Sequence, residues 1–192
     1  EKKKKFNSEE DSTSIYCSNL VCPAIVKERI AYAVSKKAFD IPGVGESVIE
    51  ELVAKGYVSR VSDIFDLTVQ DFLTLTGFKA KKAEKSFEAI QAIVGKTTMA
   101  KFINALDIEL IGERASKKLA ANQKAVELIT GSIDEVPTIE FFESIEDIGG
   151  AMARNIVEFL LSNTTLINDL KDRVQPILPD FSNSHINMDT AI

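Results

Sequence analysis

The sequence predicts an all-α fold built from four tandem helix-hairpin-helix motifs. Three observations carry this. Short apolar-periodic stretches of about 8 to 15 residues alternate with Gly, Asp, Ser and Thr breaks, as a chain of short helices requires. No long alternating β-branched run appears. And one local pattern, an apolar residue, a tight turn often marked by glycine and then a helix, occurs four times.

Residues 1–14 are charged and polar. Residues 15–24, IYCSNLVCPA, form a short segment holding both cysteines of the chain. Pro23 suits the first turn of a helix, and 24-AIVKERIAYAVSKKAF-39 has apolar residues at helical spacing. Thr68-x-x-Asp71 and Ser132-x-x-Glu135 resemble capping boxes, which mark helix starts. After Pro176 the periodicity is lost, as in a linker or frayed terminus.

The four copies are 39-FDIPGVGESVIEEL-52, 73-LTLTGFKAKKAEKS-86, 106-LDIELIGERASKKL-119 and 143-ESIEDIGGAMARNI-156. Their hairpins open at Gly43, Gly77, Leu110 and Asp147, spaced 34, 33 and 37 residues apart. Ile41, Leu75, Ile108 and Ile145 stand two residues before. The hairpin centre is Val44, Phe78, Ile111 and Ile148, always apolar, as an inward anchor would be. Gly45, Lys79, Gly112 and Gly149 follow. Four positions further on stand Ile49, Ala83, Ser116 and Ala153, mostly small, where two helices would cross closely.

Glycines at such a hairpin permit positive φ or a close backbone approach. The second helix starts at once, so its first amides lack intrahelical partners and can hold an anion with the positive end of the helix dipole. A phosphate of a DNA backbone is the natural extended partner, and such contacts read no bases. A lone G-x-G is more often a tight turn. A dinucleotide fingerprint would need glycine at Val48 and a preceding strand, and a phosphate loop would need a following G-K-[ST]. A helical repeat that binds nothing also fits the repetition.

Net charge is −6, which taken alone argues against nucleic acid. Local charge matters more. Residues 79–85, KAKKAEK, carry four lysines and one acid. Residues 113–118, ERASKK, carry three bases and one acid. Copy four offers Arg154, and copy one has Glu46, Glu50 and Glu51 after its hairpin with Lys36 and Lys37 before it. The candidate DNA-binding residues are therefore Gly43, Val44, Gly45, Gly77, Phe78, Lys79, Lys81, Lys82, Ile111, Gly112, Arg114, Lys117, Gly149, Gly150 and Arg154, with copies two and three the best phosphate candidates. Cys17 and Cys22 have a spacing that lets two thiolates share a tetrahedral zinc, and two free cysteines are the other reading. The single histidine, His185, lies in the polar tail. The start lacks the apolar centre of a signal peptide, and no apolar run could span a bilayer, so a cytoplasmic, non-membrane location is expected.

The ordered series 17-CSNLVCPA-24, Arg29-Ile30, 40-DIPGVGESVIEEL-52, 67-LTVQDFLTLTGFKAKKAEKSFEAI-90, 102-FINALDIELIGERASKKLA-120 and 145-IEDIGGAMARNIVEF-159 resembles the C-terminal half of bacterial NAD-dependent DNA ligases. The resemblance runs from about residue 15 to 175. It implies that Cys17 and Cys22 are the second pair of a four-cysteine zinc finger, with 1–24 its truncated segment. It implies a DNA-binding helix-hairpin-helix domain over 25–175, and a linker over 176–192 toward a BRCT domain. It further implies a role in replication and repair at the nucleoid, gripping nicked duplex in the minor groove beside the other domains of a monomeric ligase. NAD and magnesium would serve the whole enzyme. No K-x-D-G adenylation motif occurs in this sequence, so the chain alone is expected not to seal nicks. Lys79, Leu110 and Asp147 depart from the motif's glycines, and Asp147 would repel a phosphate. The expected role is sequence-independent binding of nicked duplex through backbone phosphates. The alternatives are a helical protein-interaction module or an accessory domain of a repair nuclease.

Overall fold

The computed structural model describes residues 23–182, all helices, turns and loops. Among these residues β structure is limited to one isolated bridge, Thr98 with Ile177. Ten α-helices follow in order: α1 Pro23–Val34, α2 Glu46–Ala54, α3 Val69–Leu73, α4 Ala80–Gln91, α5 Met99–Ala105, α6 Glu113–Ala120, α7 Gln123–Thr130, α8 Ile139–Glu143, α9 Gly150–Ser162 and α10 Thr164–Val174. A 3-10 turn, Val61–Asp66, lies between α2 and α3. None of these helices is long and apolar enough to cross a membrane.

The hairpins join α1 to α2, α3 to α4, α5 to α6 and α8 to α9, and each of these helix pairs packs together. All four repeat columns behave as the sequence requires. Ile41, Leu75, Ile108 and Ile145 are buried. Each accepts, through its carbonyl, the amide of the hairpin centre: Val44 at 3.4 Å, Phe78 at 3.2 Å, Ile111 at 2.9 Å and Ile148 at 3.1 Å. The crossing residues Ile49, Ala83, Ser116 and Ala153 are all fully buried.

The copies are not four equals. They alternate, and the alternation is visible once the helices are aligned on their hairpins. Five residues before the hairpin stand Ala38 and Ala105 in copies one and three, but Phe72 and Phe142 in copies two and four, all buried. Three residues before it, Asp40 and Asp107 turn left-handed at φ 56° and 52°. Copies two and four instead place Thr74 and Ser144 there in ordinary helical geometry. Their hydroxyls donate back to the carbonyls of Asp71 and Phe141, at 2.7 and 2.6 Å. A large phenylalanine fills the space that a sharper left-handed bend closes in the other two.

Copies one and two form one unit, and copies three and four a second. Within each, the contact is reciprocal. The residue eight positions after one hairpin's first residue touches the residue just before the other hairpin. Glu51 accepts from the amide and hydroxyl of Thr76, at 3.0 and 3.1 Å. Lys118 holds Glu146 in the second unit. In the reverse direction Asn155 donates to the carbonyl of Glu109 at 3.0 Å, and Lys85 and Ser86 line one pocket with Pro42 and Gly43, with the Ser86 hydroxyl closest to Gly43. Each unit therefore has a local two-fold relation between its hairpins.

The two units are joined by α1 against α5 and by α10, which packs on the 3-10 turn, α7 and α9. Buried Asn104 on α5 donates to the Lys37 carbonyl at 2.5 Å and accepts from the Tyr32 hydroxyl at 3.3 Å. Arg173 pairs with Asp66 at 2.8 Å, and Arg60 with Asp169 at 3.0 Å. Lys171 donates to the Thr130 carbonyl at 2.7 Å.

One expected helix start is corrected. Thr68-x-x-Asp71 is a capping box. Ser132-x-x-Glu135 is not, because residues 131–138 run as a loop. Pro137 disfavours helical geometry at Val136, and the helix begins after Thr138, whose hydroxyl accepts from the Phe141 amide. The apolar run 24–39 also ends earlier as a helix than its periodicity suggests. After Val34 the chain turns, and Asp40 in the left-handed region closes the approach to the first hairpin.

Asp107 sits against an apolar pocket lined by Val26, Ile30, Leu106, Leu166 and Leu170, with Arg29 nearby. Burial pushes its carboxyl above the ordinary range, and the Arg29 charge only partly opposes this. A raised acid costs stability while ionised, and the cost vanishes once the group is protonated. Asp107→Asn, which tolerates the left-handed backbone equally well, is therefore expected to stabilise the fold at neutral pH. The gain should fade as pH falls toward about 4. Chemical denaturation of both proteins across pH checks it.

Candidate nucleic-acid interface

The first hairpin residue has positive φ in all four copies: Gly43 at 84°, Gly77 at 73°, Leu110 at 67° and Asp147 at 69°. This is the third position of a four-residue turn whose first carbonyl bonds the fourth amide, and it demands φ > 0. Glycine meets the demand freely. Leucine costs about 1 kcal/mol or more there, while aspartate is better tolerated. The structure thus explains three of the four hairpin openings from the backbone alone, and leaves Leu110 at a penalty.

The next residue anchors the turn. Val44, Ile111 and Ile148 are buried. Phe78 is half-buried, stacked on Phe72 with ring centroids 5.7 Å apart, and carries the Lys82 ammonium 3.9 Å from its ring centre. The side chains of Val44 and Ile111 face the core, so what these positions offer to the outside is backbone.

The third position begins the second helix. Gly45, Lys79, Gly112 and Gly149 all have extended backbone, with φ between −115° and −87°, and none of these four helices has a side-chain cap. By contrast α3, α5, α7 and α8 are capped by Thr68, Thr98, Asn122 and Thr138. The helices entering the hairpins in copies two to four satisfy an orphan amide with their own side chains. The helices leaving all four hairpins do not.

The glycines at this third position are not required by the fold. Their φ values are negative, and a Cβ added at Gly45, Gly112 or Gly149 would meet nothing within 4 Å. Lys79 occupies the same place in copy two. They leave the bare backbone open to a close approach from outside. Gly150 differs: a Cβ there would meet the Glu143 carboxylate, the movable end of an exposed side chain.

Charge is distributed unevenly between the units. Lys79, Lys81, Lys82 and Lys85 are exposed and, among the described residues, form no ion pair. In the second unit Arg114, Lys117 and Lys118 are engaged, while Arg154 is exposed and forms no ion pair among the described residues. Arg114 makes a two-pronged pair with Asp147 at 2.9 to 3.2 Å. Lys118 pairs with Glu146 and Asp147, and Lys117 with Glu113 at 2.6 Å. The Arg114 hydrogen bonds, with Lys118, hold the Asp147 carboxyl below its usual range. Asp147 thus neutralises bases that the sequence counted as available, and Arg114 remains largely exposed beyond the pair.

Copy one's acids are likewise partly accounted for. Glu51 is held low chiefly by the Thr76 amide and serves as the strut between hairpins one and two. Glu50 pairs with Lys27 at 3.1 Å. Lys118, Lys85 and the Glu51 strut were beyond sequence reasoning, because their positions follow from the reciprocal packing of copies rather than from any one copy. The spacing of eight residues from each hairpin is the signal that could have found them. Cys17, Cys22 and His185 lie outside the described residues. No group of three or more His, Cys, Asp or Glu side chains suited to a metal occurs among the described ones.

Residues 36–91 match the family model described as a SAM-like helix-hairpin-helix tandem, which covers the first unit from after α1 to the end of α4. The chain is 38% identical over 165 residues to a DNA ligase of Wolinella succinogenes, covering 86% of the chain and 24% of that protein. A DNA ligase of Nitratiruptor sp. is 41% identical over 165 residues, with the same coverage. A DNA ligase of Nautilia profundicola is 39% identical over 171 residues, covering 89% of the chain and 25% of that protein. The chain spans about a quarter of the length of these relatives. With paired helix-hairpin-helix units throughout and this identity along nearly its whole length, the chain belongs to the DNA ligase family, as a segment that fits the C-terminal region.

Proposed function

We propose that this chain is the DNA-gripping, non-catalytic part of an NAD-dependent DNA ligase, holding nicked duplex through backbone phosphates without regard to sequence. One observation carries the reading most directly. Four helix N-termini follow four positive-φ hairpins, all four lack a side-chain cap, and three carry glycines that neither φ nor packing requires. Bare amides at a helix start favour an anion and need it to come close. The local two-fold within each unit suits a duplex, whose two strands are themselves related by two-fold axes. The unpaired lysines of hairpin two add the long-range attraction.

On this reading the net charge of −6 reflects the rest of the surface. NAD and magnesium belong to the adenylating part of the whole ligase. Cys17 and Cys22 belong to a zinc finger completed upstream, and metal analysis of a chain extended in that direction tests this, with no zinc as the refuting result. The division into 1–24, 25–175 and 176–192 is proposed on the same footing.

The test uses the absent caps. Gly112→Asp and Gly149→Asp each place a good capping carboxylate over the free amides. The fold should be as stable as before or slightly more so. Duplex affinity should fall by about tenfold for each, since the amides are occupied by an internal anion. Variants that gain the cap and bind duplex as well as the wild type would refute the amide clamp.

A further inference from the structure

We infer that Leu110 is an apolar contact for DNA at an opened base step, and that it gives the second unit a preference for interrupted over continuous duplex. The inference rests on the DNA-binding reading above and names what that surface recognises. Leu110 opens the third hairpin at φ 67° with 59% of its surface exposed. The three equivalent residues are explained. Gly43 and Gly77 adopt positive φ without strain, and Asp147 gains the Arg114 pair. Leu110 makes no comparable internal contact. Other exposed large apolar residues, such as Val136 and Leu161, are not among the positive-φ positions.

Its surroundings say what it would meet. Leu110 borders a shallow groove with Gly112, Arg114, Ala115, Asp147 and Met152, where hairpins three and four face one another. The uncapped start of α6 follows directly, and the Arg114 side chain, paired with Asp147, is 81% exposed. The uncapped amides favour an anionic partner, the Arg114 charge being largely offset by Asp147, while the exposed leucine beside them needs apolar surface. The sugar and base faces of a nucleic acid supply both within a few ångströms. In continuous duplex the base faces are stacked and hidden. At a nick one strand is no longer held, so the step opens at lower cost and an apolar side chain can enter from the groove.

The experiment compares the 192-residue chain with Leu110→Gly, Leu110→Ala and Leu110→Met on two labelled duplexes of one sequence, continuous and singly nicked. Leu110→Gly removes the backbone penalty, so its Tm should rise by about 2–4 °C. Its affinity for nicked duplex should nevertheless fall about fivefold, the effect of losing one partly buried leucine contact. The loss on continuous duplex should be smaller. Leu110→Ala should show the same binding loss without the gain in Tm, and Leu110→Met should bind like the wild type. An unchanged ratio of nicked to continuous affinity in Leu110→Gly overturns this inference while leaving phosphate binding intact. Wild-type protein that binds neither duplex at low salt overturns the DNA-binding reading itself. Unchanged DNA binding, with sedimentation shifted from dimer to monomer by Leu110→Gly, assigns the residue to self-association and overturns the inference as well.

Discussion

Lys81→Glu with Lys82→Glu should weaken binding to every duplex tested by about 10- to 100-fold near physiological salt, with no change in sequence preference. Both lysines are exposed and unpaired, on the first turn of the helix that leaves hairpin two. Reversing them removes two cations from the hairpin that carries the largest group of unpaired bases. The plot of log affinity against log salt should lose about two units of slope, close to one released counterion per lost phosphate contact. Lys82 also rests on the Phe78 ring, a contact worth about 0.5–1 kcal/mol at an exposed site. The folded state should therefore lose little. Lys124→Glu, a comparable change on α7 where the lysine pairs with Glu135, serves as control. Equal affinity and equal slope in the double variant would remove hairpin two from the interface.

Phe142→Ala should cost about 3–5 kcal/mol of stability, enough to unfold much of a marginal domain. Phe142 is fully buried on α8, edge-on to Phe141 with ring centroids 5.1 Å apart. It occupies the place where copies one and three have alanine, and no left-handed aspartate bends the chain there to close the gap. The cavity would sit beneath the fourth hairpin and beside α9. Phe72→Ala should behave similarly in the second copy and would also withdraw the stacking partner of Phe78. Denaturant titrations give the numbers. A loss below about 1 kcal/mol would mean that these sites collapse as easily as the alanine copies.

The hairpin columns were legible because their causes are local. An apolar seal, a turn and an apolar anchor recur at nearly constant spacing, and every one of those side chains proved buried or half-buried as needed. The reason for the departures was not legible. Asp147 reads as a residue that repels phosphate, and the structure shows it engaged with Arg114 and Lys118 from another copy. That pairing depends on how copies three and four dock, which no single motif encodes. The same holds for Glu51, an unfavourable charge in the sequence and a strut to Thr76 in the fold. The alternation of copies was present in the sequence as alanine against phenylalanine. It lies outside the pattern that the four copies share. Ser132 misled for a simpler reason: its apparent capping box precedes Pro137, which delays the helix to Thr138.

The two units also divide the electrostatics. The first presents a group of unpaired lysines, while the second, Arg154 apart, presents bases already held by acids at its hairpins. On the proposed reading, phosphate binding at the second unit would rely more on amides and shape, which makes it the natural place for a contact such as Leu110 to matter.

The most direct measurement is a duplex titration of the 192-residue chain across salt, using two unrelated sequences of equal length. Binding by amides and lysines to phosphates requires that affinity fall linearly on a log–log plot as salt rises, with one slope for both sequences. Failure to bind at low salt, or affinity that follows sequence and ignores salt, would contradict it.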